Sequence, residues 1–165
     1  MRKAVGWIAK ILFPILSIAM IVIIFYHSSM DADASSSESG SLLEAVNSIL
    51  SSLGIDPLLG DWLLRKAAHF AEFFALGTFL FFTMKAWLER DTLVLIYPAA
   101  AGVTVAFCDE FIQLFSQGRS CEFKDALLDT AGVLLAVVIW YLLLLLYRKL
   151  QKNIENKKKR ETEIE

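Results

Sequence analysis

Residues 65–88 read RKAAHFAEFFALGTFLFFTMKAWL, and the fold turns on how that stretch is solvated. From residue 67 to 88 it is long enough to cross a bilayer, whose apolar core of about 30 Å takes about 20 helical residues. Yet His69, Glu72 and Lys85 lie within it. An ionisable side chain near the middle of a membrane costs roughly 2.5–3.5 kcal/mol on insertion scales, and is kept where it faces a protein interior or a watery cavity. The stretch therefore calls for a spanning helix inside a bundle.

The rest of the chain supplies the partners. Its 165 residues are 56% hydrophobic with a mean hydropathy of +0.55, which does not suit a soluble domain. Three more runs have spanning length: residues 5–26, broken only by Lys10; residues 92–115, apolar to Cys108 and then polar-faced; and residues 124–147, free of charge from Thr130 onward. The expected architecture is all-α: a four-span transmembrane helical bundle over residues 1–150, with a short extracytoplasmic amphipathic helix. A polar tail, residues 151–165, follows.

Net charge is −2, but its distribution says more. Arg2, Lys3 and Lys10 stand at the first span, Lys85 and Arg90 between the second and third, and Arg148, Lys149, Lys152 and the run at 157–160 after the fourth. The positive-inside rule puts both termini and the middle connection in the cytoplasm. Residues 27–61 carry six acids and no Lys or Arg, which suits the outer side. Residues 1–34 also have the three regions of a cleaved signal peptide. The apolar stretch is longer than usual and Asp31 crowds the cleavage position, so a retained span is the expectation.

Residues 27–40, HSSMDADASSSESG, read as a loop. Ser41 and Glu44 then have capping-box spacing, and Leu42, Leu43, Val46, Ile49, Leu50 and Leu53 recur at helical spacing. This is the amphipathic helix, an interfacial anchor or a lid across the bundle mouth. Gly54, Pro57 and Gly60 break it, with Asp61 placed to cap the second span and Trp62 at the interface. Pro98 falls early in the third span, and Gly118 is positioned to end that helix. His27 reads as an ordinary interfacial residue. Cys108 and Cys121 have no zinc-type spacing and read as two thiols, although both fall near the outer face, where an oxidising compartment would permit a disulfide.

Polar residues concentrate in two windows, RKAAHFAEFF at 65–74 and DEFIQLFSQGRSCEFKDALLDTAG at 109–132. The topology sends both to one side of the membrane. Arg65, Lys66, His69 and Glu72 lie where the second span enters, Asp109, Glu110 and Gln113 where the third leaves, and Asp125 and Asp129 where the fourth enters. Arg65, His69 and Glu72 at i, i+4 and i+7 form a stripe, and 109/113 and 125/129 are i, i+4 pairs. Gly77 and Gly132 would let helices approach closely around such a pocket.

Each residue type suggests a role. Arg65 and Arg119 are planar forks suited to phosphate or carboxylate. His69 with Glu72 or Asp109 would make an acid–base pair. Asp109, Glu110, Asp125 and Asp129 are oxygen donors of the kind a divalent cation takes, but no established metal motif is present, and no metal is assigned. The bland reading is that these groups merely neutralise one another, Arg65 with Glu72 or Asp125 and Arg119 with Asp109 or Asp129.

The two windows resemble the VanZ-like family of bacterial membrane proteins. The resemblance rests on Arg65, Lys66, His69, Phe70, Glu72 and Phe73; on Asp109, Glu110 and Gln113; and on Gly118, Arg119, Asp125, Asp129 and Gly132, with YHSSM at 26–30 as a further similarity. Met30 departs from the Gln that some members carry there. The resemblance implies a link to reduced susceptibility to teicoplanin and related glycopeptide antibiotics, and it implies no particular reaction.

Taken together, the expectation is a bacterial cytoplasmic-membrane protein of the cell envelope with an outward-facing polar pocket. Its partners would be membrane lipids and an anionic lipid or lipid-linked cell-wall precursor, with no nucleic acid. Arg65, Lys66 and Arg119 would hold the anion; His69, Glu72 and Glu110 would move protons if there is turnover; Asp109, Gln113, Asp125 and Asp129 would orient them. The sequence identifies no cofactor. The rival expectation is a non-enzymatic accessory or scaffold protein, and small-solute transport is disfavoured because no inverted repeat or broken-helix pair is visible.

Overall fold

The computed structural model describes residues 2–31, 44–45, 48–49, 51–52, 61–117 and 122–162. Among the described residues four long helices make up the fold: α1 (Arg2–Ser29), α2 (Asp61–Trp87), α3 (Asp91–Gln113) and α4 (Phe123–Thr162). All four contain segments long and apolar enough to span a membrane: Gly6–Ser29, Arg65–Trp87, Asp91–Gln113 and Phe123–Lys157. No strand occurs among the described residues. The chain is an all-helical, multi-pass membrane protein.

Helix boundaries differ from the sequence expectation in informative ways. α2 begins at Asp61, which puts Arg65 on one helix with His69 and Glu72 as their spacing suggested, although the apolar span read from the sequence starts only at 67. α3 ends at Gln113 instead of 115, because the chain tightens there: the Phe115 and Ser116 amides donate to the Ile112 and Gln113 carbonyls at 3.0 and 3.1 Å. α4 continues to Thr162, so most of the polar tail is one exposed helical extension. Pro98 lies buried inside α3. The expected amphipathic helix falls mostly outside the described residues; Glu44, Ala45, Ser48, Ile49, Ser51 and Ser52 are helical and exposed. Gly118, Arg119 and Cys121 also lie outside them, and Cys108 is a free, exposed thiol.

α2 and α3 form the central diagonal: each packs against α1, against α4 and against the other. In a bilayer, water does not drive helices together, so the fit of small residues and a few hydrogen bonds decides the packing. A Cβ on Gly132 would stand 2.7 Å from the Phe70 carbonyl oxygen, and one on Gly77 would stand 2.8 Å from that of Val133. Both glycines let the α2 and α4 backbones touch. Gly102 of α3 meets the Val133 side chain in the same way, a contact the sequence did not reveal.

Phe73, Leu76, Leu80, Phe81, Val94, Val133 and Val137 fill the centre. Trp140 Nε1 donates to Thr78 Oγ1 at 3.0 Å, and Ser17 Oγ meets Thr83 Oγ1 at 3.1 Å, tying α4 and α1 to α2. The outer surface is apolar: Ile11, Ile15, Ile18, Val22, Leu142 and Leu146, among others, are exposed, as a lipid-facing belt requires.

The two ends of the bundle differ. At one end lie the α1 start, the α2–α3 connection and the end of the α4 span, where Lys10 stands over the Trp87 ring and Arg148 pairs with Asp91. The other end gathers the α1 C-terminus, the α2 start, the α3 C-terminus and the α4 start, and carries Ser28, Asp109, Glu110, Gln113, Ser116 and Asp129, all buried.

Candidate functional site

Buried polar groups are affordable in an apolar bundle only if they meet one another, and at this end four helices supply them. α1 ends in His27 and Ser28. His27 Nδ1 lies 2.8 Å from Glu72 Oε1 of α2, both side chains partly exposed. Ser28 is fully buried, and its hydroxyl donates to Asp109 Oδ1 of α3 at 2.5 Å. One helical turn on, Gln113 Nε2 donates to Asp109 Oδ2 at 3.0 Å and approaches Ser28 Oγ at 3.5 Å.

The turn after α3 closes the arrangement. Ser116 Oγ donates to the Ser28 carbonyl at 2.8 Å, and the Gln117 amide donates to Asp31 Oδ1 at 3.1 Å. Glu110, 3% exposed, accepts the Glu122 amide on Oε2 at 3.0 Å. Glu122 precedes α4 and its carbonyl accepts the Asp125 and Ala126 amides, so the Glu110 carboxylate sits against the positive N-terminus of that helix. Lys66 of α2 and Asp125 of α4 form an ion pair.

The centre of the site is a group of three. One ligand-type atom each of His69, Asp109 and Asp129 lies within 4.8 Å of the others. Asp109 and Asp129 are 0% and 1% exposed. Both Asp129 oxygens are buried without a hydrogen-bond partner among the described residues. Two carboxylates at that spacing repel by roughly 3 kcal/mol at an effective dielectric near 20 if both are charged. Among the described residues this is the group spaced to hold a metal; it shares Asp109 and Asp129 with the donors read from the sequence but has His69 in place of Glu110 and Asp125.

A family model described as VanZ/LLP1 matches residues 13–145, which include parts of all four helices and every side chain of this site. The chain belongs to the VanZ/LLP1 family. No curated protein and no solved structure matches it. Family membership and four spanning helices together agree on a VanZ-like membrane protein whose apolar belt contacts lipid.

Within this family member, the two sequence windows do converge: Lys66, His69, Glu72, Asp109, Glu110, Gln113, Asp125 and Asp129 all stand at one end of the bundle. The pairing within them differs from the expectation. Asp125 is taken by Lys66 and Glu72 by His27, not by Arg65, which makes no ion pair among the described residues. His27 is not an ordinary interfacial residue, since it is the partner of Glu72 on another helix. Ser28 and Ser116 also belong to the network and were missed; the YHSSM stretch was the available signal. Arg119 lies outside the described residues.

Proposed function

We propose that the polar end of the bundle is an outward-facing pocket that binds, and where chemistry occurs modifies, an anionic lipid or lipid-linked cell-wall precursor. On this reading the protein sits in the bacterial cytoplasmic membrane with both termini inside, and contributes to lowered susceptibility to teicoplanin-type glycopeptides. The carrying observation is that the polar groups exceed their internal pairs: Arg65 makes no ion pair among the described residues and Asp129 accepts no hydrogen bond among them. Arg65, with Lys66 and Arg119, would receive the anion, and an always-charged guanidinium suits phosphate bidentately. His69, Glu72 and Glu110 would move protons, with Glu72 against His27 and Glu110 against the start of α4. Lys and Arg at the opposite end support the orientation.

The phenotype tests this reading. Arg65→Ala, His69→Ala and Asp129→Asn, each expressed at wild-type abundance, should abolish any glycopeptide protection that the wild-type chain confers. Unchanged protection in all three at equal abundance would remove the pocket from the function.

A second reading has its own observation. Lys66–Asp125, His27–Glu72 and Ser28–Asp109–Gln113 link all four helices, as a network that fixes helix register in a scaffold protein would. On that reading the same substitutions lower the amount of folded protein, and crosslinking captures one recurrent membrane partner.

A further inference from the structure

We propose that His69, Asp109 and Asp129 bind a single divalent transition-metal ion of the zinc or manganese class. The donors come from α2, α3 and α4, and one atom of each lies within 4.8 Å of the other two. Three ligands at roughly 2.0–2.2 Å from a tetrahedral ion are about 3.4 Å apart. The group therefore needs a contraction of little more than an ångström, within reach of side-chain rotation.

The independent observation is Asp129. It is 1% exposed, its two oxygens have no hydrogen-bond partner among the described residues, and one of them is a member of the three-atom group. A buried carboxylate ordinarily has its lone pairs satisfied by donors or by a metal. Among the described residues no cation forms an ion pair with it. A dication lying between the carboxylates would turn their repulsion into attraction.

Asp109 adds the feature expected of a metal-ligating carboxylate. Its two oxygens accept hydrogen bonds from Ser28 and Gln113, which fix the plane of the carboxylate. Both supporting side chains are buried. His69 is only partly buried and so gives the ion a way in from the polar end. An imidazole with two carboxylates favours zinc, manganese or iron(II) over magnesium or calcium, which take oxygen alone. Three protein ligands also leave a coordination position for water or for an anionic oxygen. An ion there would add positive charge on the Arg65 stripe, but its binding does not depend on the lipid reading.

The test uses the full chain purified in detergent, stripped with chelator and titrated with Zn²⁺ and with Co²⁺ as a visible-absorbing stand-in. Wild-type protein should take up about one equivalent, with a Co²⁺ absorption band that changes in His69→Ala. Asp129→Asn should bind at least tenfold more weakly. Glu89→Gln, exposed at the opposite end, should bind as wild type does. No uptake by folded wild-type protein would overturn the proposal whatever the variants do. So would equal affinity in Asp129→Asn. A gain in thermal stability in metal-free Asp129→Asn, with no uptake by wild type, would mean that the two carboxylates share a proton instead. No lipid enters this titration, and Arg65→Ala, outside the ligand set, should lose lipid and keep metal uptake, so the two readings can fail separately.

Discussion

Ser28 and Asp109, 81 residues apart, are joined by a 2.5 Å hydrogen bond between two fully buried side chains. The bond fastens the end of α1 to the end of α3, and the Ser28 carbonyl takes a second bond from Ser116 in the turn beyond. Ser28→Ala removes the hydroxyl while leaving that carbonyl in place. A buried oxygen deprived of its donor costs about 1–3 kcal/mol. Reversible unfolding in detergent should show a loss of that size, and a stability equal to wild type would mean that the bond holds nothing.

The His27–Glu72 pair is held more loosely, because both side chains are partly exposed and solvent screens them. A double-mutant cycle with His27→Ala and Glu72→Gln should give a coupling of about 1 kcal/mol or less. A coupling of several kcal/mol would mean that the pair is far better shielded than its exposure indicates.

Glycine contacts make a sharper structural prediction. Gly132→Ala drives a methyl group against the Phe70 carbonyl, so the helices must separate, and overpacking of this kind costs about 1–3 kcal/mol. Gly6→Ala has nothing within 4 Å and should be close to neutral. Thermal unfolding of the two variants side by side checks this; equal stabilities would contradict the close approach of α2 and α4.

Orientation is open to labelling. In a background with both cysteines replaced by serine, Glu122→Cys marks the polar end and Glu89→Cys the opposite end; both positions are exposed. A membrane-impermeant maleimide should modify the first in intact cells and the second only after permeabilisation. The reverse pattern would place the pocket in the cytoplasm.

The spans and the convergence of the two polar windows were legible because hydropathy and charge topology are local sums over the chain. The pairing was not. Residues 69 and 72 looked like one stripe, yet at 100° per residue they point about 60° apart. That is enough for Glu72 to meet α1 while His69 turns toward Asp109 and Asp129. Ser28 and His27 sit where any span has polar flanking residues, so nothing nearby in sequence separates a buried partner from an interfacial one. The contacts of Gly77 and Gly132 were foreseeable from residue size, whereas that of Gly102 depends on which helix faces it.

The most direct measurement is mass analysis of lipids that co-purify with the protein after gentle extraction, for wild type and Arg65→Ala. An anionic lipid or lipid-linked precursor should be reproducibly enriched over its membrane abundance with the wild type and lost with the variant. Lipids retained in bulk proportions by folded wild type, or an enrichment that survives Arg65→Ala unchanged, would contradict an anion-binding pocket built on that arginine.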